Sequence, residues 1–393
     1  MNPDPVVDSR AFISLCMIVK NESAHLSRCL ASVQPFVDEM IVVDTGSEDD
    51  TVAIARRFGA TVSQFDWCDD FSAARNYSLA QATGEWILVV DADEELIIQS
   101  EQFRQELHTI PDAVLQCNLK RLEVPHETVG MPKVTPIYTA RLFRNQPELR
   151  YVFPYHEQLY YQGAPLNPSQ VVLFPGLELL HYGYAPELLQ KKHLTRNIPL
   201  LEKARQKGEI TLTLLITLAN FHQKMGNLEQ AQTCYAEAFE RLFPYLIEGT
   251  PPPEFTFIPY LMHFLGTQAL EQDDFETARL LGQRGLEWFP THPPLNYLAS
   301  HILNQLGFVK GAIAYLQYCL ELGQNRSYYR SEPFDQAFMT LYPAHSLGCL
   351  YLNLQDGQQA KTFFELALSF DANFTDAQAG LATAEQMLAA ALD

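Results

Sequence analysis

Gly84-Glu85-Trp86-Ile87-Leu88-Val89-Val90-Asp91-Ala92-Asp93-Glu94-Glu95 is the stretch on which the reading of this chain turns. Five apolar residues in a row, Trp86 to Val90, predict a strand buried on both faces of a parallel sheet. The strand delivers two carboxylates, one residue apart, to its carboxyl end, the edge at which open α/β sheets bind ligands. Alternation along a strand places Asp91 and Asp93 on the same side. Two neighbouring anions need a cation, and hard oxygen ligands suit magnesium or manganese held jointly with substrate phosphates. A bare D-x-D pattern also fits a solvated acidic turn, so the residues upstream decide between the two.

Those residues read as repeated β-α units. Phe12 to Val19 predicts a buried strand ending at the polar Lys20-Asn21-Glu22-Ser23, and Leu26, Leu30, Val33 and Val37 follow at helical spacing. Met40 to Val43 predicts a second strand that stops at Asp44. A turn from Thr45 to Thr51 feeds a short helix closed by Gly59. Ala60 to Phe65 predicts a third strand, and Phe71 to Ala82 a third helix. Three such units and a closing strand make a doubly wound α/β sheet. Asp44 lies in no G-x-G-x-x-G pattern, and no G-x-x-x-x-G-K-[ST] occurs, which argues against a dinucleotide fold and a P-loop enzyme.

Met17-Ile18-Val19-Lys20-Asn21-Glu22, Ile41-Val42-Val43-Asp44-Thr45-Gly46-Ser47 with Asp50-Thr51, Ala74-Arg75-Asn76 and Asp91-Ala92-Asp93 stand in the order seen in family 2 glycosyltransferases. The resemblance covers roughly residues 1–185. It implies a GT-A fold, a nucleotide-sugar donor (a UDP-sugar is expected), manganese or magnesium, and transfer with inversion at the anomeric carbon, of the hexosyltransferase type. By the same resemblance Glu22 and Asp44 contact the nucleoside, and Asp91 touches the ribose or a metal-bound water. Arg75 and Asn76 shape the nucleotide pocket, and Asp93 binds the metal.

Beyond Ile97, Phe103 to Leu107 suggests a helix, Val114 to Leu122 and Ile137 to Phe143 suggest strands, and Pro125 to Pro136 reads as a loop facing the acceptor. An inverting transfer needs one general base to take the acceptor proton. The resemblance puts an acidic residue near Phe153-Pro154-Tyr155-His156-Glu157, which makes Glu157 the candidate, with His156 beside it. The family pattern has a glycine shortly before this pair, where this chain has aromatic residues and proline. Leu177 to Tyr184 ends the domain and delivers His181 to a glycine-containing turn, where the resemblance implies a metal or diphosphate ligand. Lys191-Lys192-His193-Leu194-Thr195-Arg196-Asn197 opens a basic helix able to face a diphosphate.

The second half has a different period. Ala231, Ala278, Ala312 and Ala360 recur at spacings of 47, 34 and 48 residues, the middle one being the tetratricopeptide period. The surplus falls in Pro244 to Pro259 and Gly323 to Pro343. Ala219, Gly266, Ser300 and Gly348 precede each alanine by twelve residues, and Ala238, Gly285, Cys319 and Ala367 follow by seven. All are small, which lets paired helices approach. The expected organisation is a GT-A domain over 1–185, a connector helix over 186–210, and an all-α tetratricopeptide-repeat solenoid over 211–393 with a capping helix from Asn373 to Leu392. Tyr328, Tyr329 and Tyr342 read either as a sticky surface or as packing under a long loop, and the histidines here as isolated residues.

The totals bound the partners. The 393 residues carry a net charge of −20 without a dense Lys/Arg run, which disfavours nucleic acid. Any anionic ligand therefore needs a local site. Seven cysteines without C-x-x-C spacing predict free thiols in a reducing cytoplasm. Met1 to Arg10 resembles no signal peptide, and no apolar run reaches the length of a membrane span. A sugar transferase joined to such repeats resembles bacterial peptide-modifying glycosyltransferases. That implies a peptide, protein or glycan acceptor and a homodimer through the repeats. Two other classes compete: an inactive scaffold whose repeats recruit a protein partner, and a nucleotidyltransferase, which would usually carry a Gly-rich basic loop where Lys20-Asn21-Glu22 stands.

Overall fold

A computed structural model of the chain describes residues 12–124, 134–183, 186–253 and 257–390. It divides between Lys203 and Ala204 into two compact units, with Val134 and Thr135 counted in the second. The stretch read as a connector, 186–210, is divided by that boundary. Most of the expected loop over Pro125 to Pro136 lies outside the described residues.

The first unit begins as the apolar runs dictate: β1 (Ile13–Val19), α1 (Leu26–Val33), β2 (Glu39–Asp44), α2 (Thr51–Arg57), β3 (Thr61–Gln64), α3 (Phe71–Leu79) and β4 (Trp86–Val89). Alternate residues of β1 go to opposite cores, which is why the run is apolar throughout. Leu15 and Met17 pack with Leu26, Leu30 and Val33 of α1 and Ile54 of α2. Cys16 faces the other way, with Ile41, Val43, Ile87, Val89 and Leu79 of α3. Asp70 starts α3 by accepting from the Ala73 N–H at 3.0 Å. A Cβ on Gly84, just before β4, would lie 2.4 Å from Ser14 Oγ, so only glycine lets the chain enter the sheet there.

The sheet is completed by β5 (Glu94–Ile98), β6 (Gln116–Glu123), β7 (Ile137–Arg144) and β11 (Val171–His181), with α4 (Phe103–His108) packed on one face. Its order is β3-β2-β1-β4-β7-β6-β11-β5. The first four strands are parallel; β7 is antiparallel to β4 and to β6, β11 is parallel to β6, and β5 is antiparallel to β11. The direction of strand order reverses between β1 and β4, so a crevice opens at their carboxyl ends. A second, antiparallel sheet of β8 (Leu149–Val152), β9 (Gln158–Tyr161) and β10 (Ala164–Pro165) packs beside α3. After β11 come α5 (Pro186–Lys192), a turn of π helix (His193–Asn197) and α6 (Ile198–Gln206).

The second unit is helical. Its described elements are α7 (Leu212–Lys224), α8 (Leu228–Glu248), α9 (Ile258–Glu271), α10 (Phe275–Trp288), α11 (Pro293–Gln305), α12 (Val309–Gln324), α13 (Leu341–Asn353), α14 (Gly357–Phe370) and α15 (Thr375–Ala390). The framing alanines Ala231, Ala278, Ala312 and Ala360 are buried near the starts of α8, α10, α12 and α14, as their spacing required. The small residues act as expected, with one difference. Gly348 admits the Phe364 ring of its own helix pair, but Gly266 and Gly285 admit Leu298 and Leu295 of the next pair. The Pro-rich surplus is also partly helical, since α8 runs through Pro244 and ends at Gly249 in the left-handed region.

The second insertion is packed inward rather than displayed. Phe334 lies against His292, Phe338 against His263 and Tyr297, and Tyr342 donates to Asp335 at 3.1 Å. Val134 bridges Asp335, and the Thr135 N–H donates to Phe334 O at 2.9 Å. Three of the histidines read as isolated, His263, His292 and His301, lie near one another here. Glu332 Oε1 lies 2.9 Å from His292 Nε2, both side chains being almost fully buried.

Two outcomes are expected. Gly348→Ala should cost about 1–3 kcal/mol in denaturant unfolding, because the ring 2.7 Å from the added Cβ has no room to retreat. Burial pushes the Glu332 carboxyl up to about 8, while His292 is pushed down to about 3. Glu332 therefore keeps its proton in the folded form, and stability drawn from it is lost as pH rises from the ordinary carboxylate range through 8. The buried His292 gives the opposite slope, losing stability as pH falls below its ordinary value of 6.5. The two offset one another at acid pH, so the net decline should appear between pH 6.5 and 8. Tyr260 and Tyr329 face the same carboxyl and stay neutral in this range. The repeat transition in calorimetry should fall in temperature over that interval, and Glu332→Gln should flatten it.

Candidate active site

The loops after β1 and β2 are laced together before any ligand is considered. Asn21, at φ 54, accepts from the Glu48 N–H at 2.8 Å and donates its own N–H to Ser47 Oγ at 2.9 Å. The Glu22 N–H donates to Thr51 Oγ1 at 2.7 Å. The Asp44 carboxylate, at the end of β2, accepts from the Gly46 and Ser47 N–H groups at 3.2 Å. These bonds fix the edge of a cavity of 860 Å³.

Six of the eight residues singled out in the sequence line that cavity: Glu22, Arg75, Asp91, Asp93, Glu157 and His181. Asp44 does not, since its carboxylate holds the turn whose Thr45 does. Asn76 is also off the cavity. Its amide clips α3 to β8, donating to Tyr151 O at 2.8 Å and accepting from the Tyr151 N–H at 2.9 Å. Six Lys and Arg side chains line the cavity against five carboxylates, so it is locally cationic in a chain of net charge −20. That permits an anionic ligand.

The two aspartates do not act as a pair. Both fall in the turn between β4 and β5, where strand alternation no longer applies. Asp91 is held by two arginines: Arg75 Nη2 donates to Oδ1 at 2.9 Å, and Arg141 of β7 to Oδ2. Burial opposes its ionisation, but Arg141 and Arg75 together hold the carboxyl well below the usual range. Arg141 also donates to Glu94 at 2.9 Å; burial pushes this fully enclosed carboxyl up against the pull of Arg141. Asp93 turns elsewhere, its Oδ2 lying 3.3 Å from His181 Nε2. His181 Nδ1 bonds Glu123 at 2.6 Å, because β11 and β6 place His181 and Glu123 in register. Burial works against the imidazolium, yet Asp93 and Glu123 push His181 up to about 9.

Asp93 Oδ2 and His181 Nε2 are an oxygen and a nitrogen turned toward one another, a donor set that suits manganese or magnesium with other positions left for phosphate oxygens. The Glu123 bond fixes the imidazole orientation such a ligand needs. An ion taken there would displace the His181 proton.

Glu157 lies in the segment between β8 and β9. Its Oε1 accepts from Arg75 Nε at 2.6 Å. The glycine absent before it has a conformational replacement: Phe153 takes φ 74 and His156 φ 53, values that side chains rarely adopt. Phe153 is held by its ring against Tyr160, and Pro154 O accepts from the Phe71 N–H at 3.0 Å. Opposite, Lys192 at the end of α5 reaches Glu22 at 3.1 Å, and Arg196 of the π turn lies over the Phe71 ring. Arg141, Glu94 and Glu123 were missed from sequence. An arginine inside an apolar strand was the one available signal, and the partners come from distant strands.

Arg141→Met should destabilise the first unit by about 3 kcal/mol, because it removes the nearest counter-ion of the fully buried Glu94 carboxyl. Denaturant unfolding checks this; a loss below about 1 kcal/mol would mean that Arg121, 3.6 Å from Glu94, suffices as counter-ion.

Residues 14–150 match the family model described as glycosyl transferase family 2, and residues 212–241 and 344–374 match a tetratricopeptide repeat model. A tetratricopeptide repeat-containing protein of Synechococcus elongatus is 37% identical over 277 residues, 68% of this chain and 64% of that protein. The SPbeta prophage-derived glycosyltransferase SunS of Bacillus subtilis is 31% identical over 201 residues, 49% of this chain and 44% of SunS. The chain thus spans less than two thirds of the length of either relative. Glucosyl-3-phosphoglycerate synthase from Mycobacterium tuberculosis, solved with Mn2+, UDP and glucosyl-3-phosphoglycerate, is 18% identical with a TM-score of 0.32, covering 49% of this chain and 80% of that one.

Proposed function

We propose that this chain, which joins a family 2 glycosyltransferase domain to tetratricopeptide repeats, transfers a sugar from a nucleotide-sugar donor to an acceptor with inversion. The observation that carries this reading is one locally cationic cavity into which the carboxyl ends of β1 and β4, helix α3, the β8–β9 segment and the end of β11 bring Glu22, Arg75, Asp91, Asp93, Glu157 and His181. No single segment of sequence contains this set.

In this reading Glu22 and Asp91 receive the nucleoside, and Asp44 holds the turn beside it. Lys192 and Arg196 face the diphosphate, and Asp93 and His181 would hold manganese or magnesium. A bound divalent ion supplies charge neutralisation on the diphosphate. Glu157 takes the proton from the acceptor nucleophile as that atom forms its bond to the anomeric carbon. The bond from that carbon to the phosphate oxygen breaks on the opposite face, and its electron pair leaves with the nucleoside diphosphate. Cavity walls that include Trp67, Phe71 and Tyr155 exclude water around the donor.

The donor is proposed as a UDP-sugar and the acceptor as a peptide, protein or glycan, with the repeats offering a surface for the acceptor or for a second copy of the chain. The glycosyltransferase domain is proposed over residues 1–185, with the following helices closing the cavity. Among the described residues no helix is long and apolar enough to cross a membrane, and all seven cysteines are free. A cytoplasmic site of action agrees with both.

Thermal stability measured with UDP, GDP, ADP and CDP, each with and without manganese, tests the donor site. A nucleotide at 100 times its dissociation constant should add about 2.7 kcal/mol to the folded state. The gain should require metal and vanish in Asp93→Ala. Glu157→Gln should keep the gain while slowing transfer by about 10²–10⁴-fold. Absence of any nucleotide effect would favour a scaffold that recruits partners through the repeats. Pyrophosphate release from a sugar phosphate and a nucleoside triphosphate would favour a nucleotidyltransferase.

A further inference from the structure

Arg75 is the one side chain that touches both the donor carboxylate and the candidate base among the described residues. Its Nη2 bonds Asp91 at 2.9 Å and its Nε bonds Glu157 at 2.6 Å, and the side chain is 8% exposed. Nε and Nη2 form one edge of a rigid, planar guanidinium, so the two carboxylates share a single donor edge. Neither can turn without disturbing the bond to the other. Asp91 has little freedom of its own, because Arg141 holds its second oxygen.

The helix carrying Arg75 is tied to the segment carrying Glu157 at two more points. The Phe71 N–H donates to Pro154 O at 3.0 Å, and Asn76 exchanges two bonds with the Tyr151 backbone. The left-handed residue Phe153 lies between these ties, and the second one, His156, between Pro154 and Glu157. A short strained loop tied to α3 before Glu157, paired through Gln158 to Val152 just after it, and gripped by a buried guanidinium, restricts the orientations open to Glu157.

Resting on the reading of Glu157 as the base, we infer that Arg75 is a positioning residue that couples occupancy at Asp91 to the aim of Glu157. A donor hydroxyl that bonds Asp91 loads the same guanidinium edge that orients Glu157. The base is therefore aligned by the bound donor, and an empty site leaves it locked to Arg75 and Asp91.

A double-mutant cycle tests the coupling. Wild type, Arg75→Gln, Glu157→Gln and the double variant are assayed for manganese-dependent release of UDP from UDP-glucose and from UDP-N-acetylglucosamine. UDP affinity and thermal unfolding are measured on each protein. Arg75→Gln should lower kcat by about 10²-fold in the wild-type background and by less than about threefold in the Glu157→Gln background, the mark of two residues acting as one unit. Its KM for donor should move by less than about tenfold, since Arg141 still holds Asp91. Arg75→Lys, which keeps the charge but not the fork, should rescue UDP affinity and not kcat, and it replaces Arg75→Gln in the cycle if that variant does not fold. Equal kcat losses in both backgrounds overturn the coupling and leave Glu157 as base. Wild-type turnover by Glu157→Gln alone overturns the base assignment and the inference with it. Failure of the wild type to release UDP from either donor, with no UDP binding, overturns the donor reading itself.

Discussion

The site depends on how the half-buried Asp91 carboxylate is neutralised. Asp91, half-buried in the turn after β4, has one arginine on each oxygen, and this arrangement decides what its neighbours can do. A charge removed from bulk water is tolerable only when paired and hydrogen-bonded on all sides. Arg75 from α3 and Arg141 from β7 provide that pairing, and each reaches on to a second carboxylate, Glu157 and Glu94. The network thereby joins the parallel half of the sheet to its antiparallel half and to the β8–β9 segment. The consequence for metal chemistry is direct. Asp91 is already satisfied by guanidinium, so Asp93 and His181 form the pair with donor atoms turned toward one another.

The loop before Glu157 shows a second constraint. Two residues with side chains occupy the left-handed region, at a cost of order 1–3 kcal/mol each. The surroundings over-determine them: Phe153 packs edge-to-face on Tyr160, and the intervening Pro154 carbonyl is bonded to the start of α3. A glycine would reach the same φ without strain and would also permit others. Aromatic residues there trade backbone ease for rigidity around Glu157.

The helical unit is governed by packing rather than charge. Small residues recur where helices meet, and the largest insertion folds inward, carrying Phe334, Phe338 and Tyr342 onto Tyr297, His263 and His292. Burying Glu332 against His292 suits two neutral groups, which is why their proton affinities are displaced in opposite directions. This unit holds polar groups chiefly as structure.

Much of this was legible in the chain itself. Apolar runs of four to eight residues ending at Glu22, Asp44 and Asp91 placed the parallel strands, and the alanine period placed the helix pairs, because burial on one or two faces leaves a local pattern. Glu157 and His181 were found through motif order. What the sequence could not show was which charges meet. Arg141, Glu94 and Glu123 lie on strands whose pairing is non-local, and the D-x-D spacing suggested a shared metal where the fold supplies arginine to one carboxylate and imidazole to the other. Asn76 sat in the right motif, yet its amide is committed to Tyr151. Local composition determines where strands and helices run. The partner of a buried charge is decided only when strands far apart in sequence are laid side by side, since electrostatic pairing acts through space and leaves no period along the chain.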